Sequence, residues 1–136
     1  MKQLIEKLRA AGIQPSAQRV AVGGVVLATE AHPSADEVWE SVKKRFPVIS
    51  RATVYNTLNL FVRKGLLRSL TLAPGRVVFD PKLAPHHHFV EEGSGQIHDV
   101  PWEAVEVRRI AGPPGFELGE WQVVMRGRRI AKAASR

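Results

Sequence analysis

Cysteine is absent from all 136 residues of the sequence, which excludes disulfide bonds, zinc sites built from thiolates and thiol redox chemistry. Long apolar runs are also absent, since no stretch approaches the ~20 apolar residues that a membrane span requires. The amphipathic segment 1–12 lacks the apolar centre of a signal peptide. These absences lead us to expect a cytoplasmic protein with no membrane partner.

Acidic residues are outnumbered, with 13 Asp and Glu against 20 Lys and Arg, and the formal net charge is +7. A basic excess of this size suggests a polyanionic partner, most commonly nucleic acid, although the charge could instead serve only solubility. Hydrophobic residues make up 44% of the chain, which favours a packed core over disorder. The length is sufficient for one compact domain or two very small ones.

Apolar periodicity and capping signals predict four helices in the first half of the chain. Ser34 followed by Glu37 matches a capping box, and Ser50 can cap a fourth helix that runs to about Lys64. One side of that fourth helix is apolar. The opposite side is polar and basic with one aromatic residue, and it carries Arg51, Ala52, Tyr55, Asn56, Asn59 and Arg63.

Two strand-like runs follow the helices, at 66–72 and 76–79, and the segment Ala73-Pro-Gly75 between them is typical of a hairpin. Short helices followed by a hairpin describe a winged helix-turn-helix, a DNA-binding arrangement. We therefore predict a winged-helix domain over residues 1–81.

The second half of the chain has a different pattern. We predict a hairpin around 92–95, a short helix at 102–111 and a longer strand at 116–125. A sheet this small leaves an edge and an apolar face uncovered, and a second copy of the chain would cover both. The expected fold class is α+β, in which a hinge at 82–85 leads to a small α/β domain at 86–136 that forms a homodimer.

Four of the five histidines lie within thirteen residues of one another. On a strand, His86 and His88 point to the same face and His87 to the opposite one. Asp99 lies on the partner strand of the second hairpin and could face the histidine pair. His98 could simply be exposed, and we leave it out of the site.

Two further candidates lie in the first half, where His32 precedes the third helix and Asp80 ends the first hairpin. Imidazoles and carboxylates without thiolates suit iron(II), manganese(II) or zinc. Three consecutive histidines could equally form a solvated loop, and the aspartates could be ordinary turn and strand-end residues.

Several segments of the sequence are similar to the ferric uptake regulator (Fur) superfamily, and together they cover nearly the whole chain. The most specific is Ser50-Arg-Ala-Thr-Val-Tyr-Asn-Thr-Leu58, which resembles the recognition helix of that superfamily. The others are 12–19, 32–38, 64–66, 79–80 and 86–88.

Within the superfamily the chain looks most like the peroxide-responsive (PerR) branch. The resemblance implies one regulatory Fe²⁺ or Mn²⁺ per subunit, which Zn²⁺ could replace. It implies that iron(II) reacts with hydrogen peroxide, that His32 or His86 is oxidised, and that a repressor then loses its metal and its DNA. The implied ligands are three histidines and two aspartates, namely His32, Asp80, His86, His88 and Asp99.

Two features depart from the pattern of this branch. Most members hold a structural zinc with four cysteines, whereas here Glu91 and Ser94 stand at the first cysteine pair and nothing in 129–132 replaces the second. We therefore expect no structural zinc of this four-cysteine kind. Asn59 occupies a position where arginine is common, which leaves the target DNA sequence open.

The resemblance also implies that the recognition helix enters the major groove of double-stranded DNA, with a homodimer on a near-palindromic operator. Tyr55 can contact a thymine methyl and Asn56 can pair with adenine. A surface salt bridge of Arg19 and partial core packing of Tyr55 are the alternatives. The predicted DNA-contacting residues are Arg19, Ser50, Arg51, Thr53, Tyr55, Asn56 and Arg76.

Three other functions remain open at this stage. The cysteine-free segment 86–91 resembles the haem-responsive iron response regulator (Irr) branch, in which haem ends DNA binding. A non-haem metalloenzyme could use the same ligand types, although five protein ligands would leave little room for substrate, and we expect no enzymatic activity. A plain DNA-binding module with a vestigial metal site would bind its operator without metal.

Overall fold

The computed structural model describes residues 1–130, and it has the α+β class that the sequence predicts. The chain divides into two compact units, Met1–Leu83 and Ala84–Arg136. This division falls within the predicted hinge 82–85, whose action as a hinge stays a prediction. The end of the predicted dimerisation domain, 131–136, lies outside the described residues.

The first unit begins with four helices, and three of them start at a serine cap. Ser16, Ser34 and Ser50 cap the second, third and fourth helices, because each hydroxyl accepts a hydrogen bond from a backbone N–H three residues further on. Glu37 completes the predicted capping box by accepting from the Ser34 N–H at 3.0 Å. The helices are α1 (Lys2–Ala10), α2 (Ala17–Val26), α3 (Ala35–Lys43) and α4 (Arg51–Arg63).

The core of this unit is apolar and draws on all four helices. Gly23 lies inside α2 because α1 packs closely against it: a Cβ at this position would be 3.0 Å from Leu4 Cδ1. The fully buried residues are Leu8, Val22, Val26, Val38, Val54, Leu58 and Phe61.

An antiparallel hairpin completes the first unit, with β1 (Arg68–Ala73) paired to β2 (Arg76–Asp80). The Phe79 N–H donates to the Pro33 carbonyl at 2.9 Å, which fixes the end of β2 beside the segment that leads into α3. Asp80 is thereby held next to His32. No helix within residues 1–130 is long and apolar enough to span a bilayer.

The second unit contains a three-stranded sheet in the order β4-β3-β5. The central strand β3 (His86–Glu91) is antiparallel to β4 (Ile97–Pro101) and parallel to β5 (Val124–Gly127). The predicted hairpin around 92–95 is therefore present as the connection between β3 and β4.

Two predictions for the second unit are wrong. The expected helix at 102–111 is only a single 3-10 turn, Trp102–Ala104, because the β-branched valines and charged residues that follow form no continuous apolar helix face. The expected strand at 116–125 is confined to Val124–Gly127. It begins this late because the Val123 N–H bonds to the His87 side chain at 3.0 Å instead of continuing the ladder along β3.

Candidate functional site: histidine–aspartate clusters and the outer face of the fourth helix

In the first unit, His32 and Asp80 form a buried pair. His32 Nε2 lies 3.1 Å from Asp80 Oδ2, and both residues are almost fully buried. The other carboxylate oxygen, Asp80 Oδ1, accepts a hydrogen bond from the Lys82 backbone N–H at 2.9 Å. His32 is the one non-glycine residue with positive φ among residues 1–130, at 52°. Such a conformation is uncommon outside glycine and often accompanies a functional role.

In the second unit, the alternation of β3 brings His86 and His88 to one face, as the sequence predicts. Asp99 lies directly opposite His88 in the antiparallel register with β4. Asp99 Oδ1 is 3.4 Å from His86 Nε2 and 3.9 Å from His88 Nε2. Both imidazoles are buried, whereas the Asp99 side chain is 28% exposed. Three atoms that could bind a metal ion therefore lie together on this face of the sheet, namely His86 Nε2, His88 Nε2 and Asp99 Oδ1.

Hydrogen bonds on the far side of each ring determine its tautomer. His86 Nδ1 lies 2.7 Å from the Ala84 carbonyl oxygen, and His88 Nδ1 lies 2.7 Å from Gln122 Oε1. Both oxygens can only accept, so each Nδ1 carries a proton, and in its neutral form each ring directs the lone pair of Nε2 toward Asp99. A backbone carbonyl or side-chain oxygen behind a ligand histidine is the usual outer shell of a metal site.

This arrangement suits a divalent cation. Two lone pairs and a carboxylate oxygen repel one another unless positive charge lies between them. Ligand atoms that each bind an ion at about 2.0–2.2 Å lie roughly 3–3.5 Å apart at the angles common in metal sites. The 3.4 Å between His86 Nε2 and Asp99 Oδ1 is within this range, and the 3.9 Å between His88 Nε2 and Asp99 Oδ1 is slightly longer. The donor set of nitrogen and oxygen suits iron(II), manganese(II) or zinc.

His87 lies on the opposite face of β3 and has a different environment. Its ring is fully buried and stacks on Trp102, with the ring centroids 4.6 Å apart and the planes 9° from parallel. Its Nδ1 accepts the Val123 N–H, so the ring contributes to packing and to the start of β5. The three consecutive histidines thus form a strand with two distinct faces and no solvated loop.

Glu91, at the position of the first missing cysteine pair, is the centre of a polar cluster. Its carboxylate accepts from Ser94 Oγ at 2.7 Å and from the Arg129 guanidinium at 3.0 Å, with His98 Nε2 at 3.4 Å. The hydrogen bond from Ser94, together with those from His98 and Arg129, lowers the pKa of Glu91. Arg129 follows β5, so an ion pair joins the end of β3 to the segment after the parallel edge strand.

The predicted DNA-contacting residues of α4 belong to two groups. In the first, Ser50 Oγ accepts the Thr53 N–H at 3.0 Å and lies 2.8 Å from Thr53 Oγ1, so both hydroxyls take part in the helix cap. In the second, Arg51 and Tyr55 both contact the carboxylate of Asp36 on α3. Sequence reasoning missed Asp36, because nothing in its helical spacing indicates a partner on another helix.

Asn56 and Thr53 line an open groove of about 530 Å³ between α4 and the start of α2. Arg19 lines the same groove, and its guanidinium donates a hydrogen bond to the Gln14 carbonyl at 3.0 Å. Arg76 lies apart from this groove, at the start of β2 on the hairpin. Tyr55 is 37% exposed and therefore only partly packed.

Comparison with known proteins identifies the class to which these features belong. The sequence model of the ferric uptake regulator family matches residues 10–126. The "Peroxide operon regulator" of Bacillus subtilis is 31% identical over 129 residues, which cover 93% of this chain and 89% of that protein. The "Peroxide-responsive repressor PerR" of Staphylococcus epidermidis is 33% identical over 112 residues, which cover 82% of this chain and 75% of that protein.

A solved structure agrees with the sequence comparison. The ferric uptake regulator from Pseudomonas aeruginosa with manganese superposes with a TM-score of 0.68 at 26% identity, covering 93% of this chain and 97% of that one. The chain therefore belongs to the ferric uptake regulator family of metal-responsive regulators. The resemblance inferred from the sequence, including its leaning toward the peroxide-responsive branch, is confirmed, and so is the fold class.

Proposed function

We propose that this protein is a metal-dependent, DNA-binding repressor that responds to hydrogen peroxide. The observation that carries the proposal is the convergence of His86 Nε2 and His88 Nε2 on Asp99, with both Nδ1 protons engaged elsewhere. The names of the relatives from Bacillus subtilis and Staphylococcus epidermidis support the peroxide response. As part of the same proposal, the protein is not an enzyme and acts in the cytoplasm, where its DNA target lies.

The proposed metal is Fe²⁺ or Mn²⁺ at one regulatory site per subunit, with Zn²⁺ as a possible substitute. The manganese in the Pseudomonas aeruginosa relative supports this choice. We further propose that the buried pair His32 and Asp80 binds the same ion, which gives three imidazoles and two carboxylates. Bound iron(II) would supply the redox chemistry by which hydrogen peroxide is reduced to water while one of its oxygen atoms is added to a ligand histidine, which provides the two electrons.

The chain's own residues would convert metal binding into DNA binding. If ligands from both units bound one ion, metal binding would favour one arrangement of the two units. The difference between the free energies of metal binding to the alternative arrangements is the free energy available to change DNA affinity. Oxidation of His32 or His86 would remove a nitrogen ligand and with it that free energy. In a homodimer, the switch would set the spacing of two copies of α4 on a near-palindromic operator.

A titration of DNA binding tests the proposal. Duplexes selected from a random-sequence library would be titrated with the protein plus manganese(II), iron(II) or haem, before and after peroxide. We expect tight binding with either metal, and loss after peroxide only for the iron form, with an added oxygen on His32 or His86 by mass spectrometry.

The other candidate functions predict different results in the same titration. Release of DNA by haem alone, without an added oxygen, would replace the proposal with haem sensing. Equal binding with and without metal would indicate a vestigial site. Steady turnover of peroxide or another substrate by the purified protein would indicate a metalloenzyme.

A further inference from the structure

Asp36, in the first turn of α3, contacts two residues of α4 at once. Its carboxylate oxygens lie 2.8 Å from Arg51 Nε and 2.9 Å from an Arg51 terminal nitrogen, which is a two-pronged ion pair. The Tyr55 hydroxyl donates to Asp36 Oδ1 at 3.2 Å. The carboxylate thus lies against one face of the helix that we propose enters the major groove.

The two α4 side chains also contact each other. Arg51 and Tyr55 are four residues apart and therefore neighbours on one helix face. The Arg51 guanidinium carbon lies 5.4 Å from the centre of the Tyr55 ring, and its terminal nitrogen lies 3.5 Å from the hydroxyl. The hydrogen bond to Tyr55 and the charge of Asp36 raise the pKa of Arg51. Arginine is always charged in proteins, and here the adjacent carboxylate balances that charge.

Stability of the fold is a weak explanation for this arrangement. The side chains of Arg51 and Asp36 are 56% and 54% exposed, so water screens the ion pair, although its two-pronged geometry stabilises it more than a single contact would. A carboxylate on a surface that meets DNA also lowers general affinity, because it faces the phosphates. The contacts with Asp36 hold Arg51 and Tyr55 in one fixed orientation before DNA binds. This preorganisation is the advantage on which the inference depends.

We propose that Asp36 determines specificity: it orients Arg51 and Tyr55 for base contacts and prevents Arg51 from binding phosphates independently of sequence. This inference rests on the DNA-binding function proposed above. Asp36 itself is a positioning residue, because it acts through its two partners. The inference predicts two opposite effects when the carboxylate is lost: affinity for DNA of any sequence rises, and discrimination between sequences falls.

The variant Asp36→Asn tests the proposal, because asparagine keeps the size of the side chain and removes its charge. The matched control is Glu40→Gln, which removes one negative charge from the same helix. Among residues 1–130, Glu40 pairs only with Lys43, at 3.1 Å, and its side chain is 66% exposed. Circular dichroism would confirm that both variants are folded. Affinities would be measured with manganese(II) for a duplex selected by the wild-type protein and for a scrambled duplex of the same composition.

For Asp36→Asn, we expect the ratio of the two affinities to fall at least about ten-fold, mainly through tighter binding to the scrambled duplex. The slope of log affinity against log salt for that duplex should steepen by about 0.9, the value for one additional phosphate contact. Glu40→Gln should leave the ratio unchanged. Equal changes on both duplexes in the two variants would overturn the proposal, since they would reflect net charge alone.

A second variant tests the link to Tyr55. Tyr55→Phe keeps the ring and removes the hydroxyl that bonds to Asp36, so the double variant Asp36→Asn/Tyr55→Phe should discriminate no worse than Asp36→Asn alone. Additive losses would contradict a shared role. If the wild-type protein selects no sequence from the library, the proposed function fails; if it selects one and Asp36→Asn discriminates equally well, only this inference fails.

Discussion

His88 and Gln122 are 34 residues apart in the chain, yet His88 Nδ1 and Gln122 Oε1 are 2.7 Å apart. The amide oxygen accepts the Nδ1 proton and leaves the lone pair of Nε2 directed toward Asp99. Gln122 is therefore an outer-shell residue of the candidate metal site, two residues before the strand that pairs in parallel with β3.

The variant Gln122→Ala should weaken metal binding without unfolding the sheet. The loss of an outer-shell hydrogen bond to a ligand histidine typically lowers metal affinity about 10–100-fold, and we expect a decrease of roughly ten-fold or more for manganese(II), measured by calorimetry. Gln96→Ala, at an exposed glutamine of the β3–β4 turn, is the control. Unchanged affinity in Gln122→Ala would show that this hydrogen bond does not orient His88 for metal.

Ser50 caps α4 and is also a predicted DNA contact, and two substitutions at this position distinguish the two roles. Ser50→Ala removes the acceptor for the Thr53 N–H and should lower the free energy of unfolding by about 1 kcal/mol. Ser50→Asp restores an acceptor and should recover that stability, while its charge should weaken binding to DNA through repulsion of phosphate. Urea denaturation and a DNA titration measure the two effects. Full DNA affinity in a folded Ser50→Asp protein would exclude Ser50 from the interface.

The hydrogen bond from Ser94 to Glu91, together with those from His98 and Arg129, predicts that the stability of the protein depends on pH in the acidic range. Because the folded protein lowers the pKa of Glu91, the stabilisation is present above the unfolded-state value of about 4.3 and is lost as pH falls through the folded value. Thermal unfolding followed over roughly pH 3–7, a range around that value, should therefore show a smaller loss of stability in Glu91→Gln. Glu92→Gln, at the adjacent exposed glutamate, should behave as the wild type, and equal profiles for all three proteins would refute the prediction.

The sequence allows the local features of this protein to be predicted more fully than the contacts between distant segments. The two-residue period of a strand predicts that His86 and His88 share a face. The serines at 34 and 50 predict helix starts because a cap involves only neighbouring residues.

To identify partners from distant segments of the chain, one must know how the strands pair and how the helices pack. Gln122 could be found only by knowing that β5 pairs with β3 in parallel, and Asp36 only by knowing how α3 packs against α4. The prediction of a strand from residue 116 onward was wrong for the same reason, since the His87 side chain takes the Val123 N–H that the ladder would need.

The dependence of DNA binding on metal, compared between the wild type and His86→Ala, tests the central claim most directly. Affinity for one duplex selected by the wild-type protein would be measured across a series of manganese(II) concentrations, with circular dichroism to confirm that the variant is folded. We expect the wild-type affinity to rise with manganese and that of His86→Ala to stay at its metal-free value. An identical rise in both proteins, or no rise in either, would contradict a histidine–aspartate site that controls DNA binding.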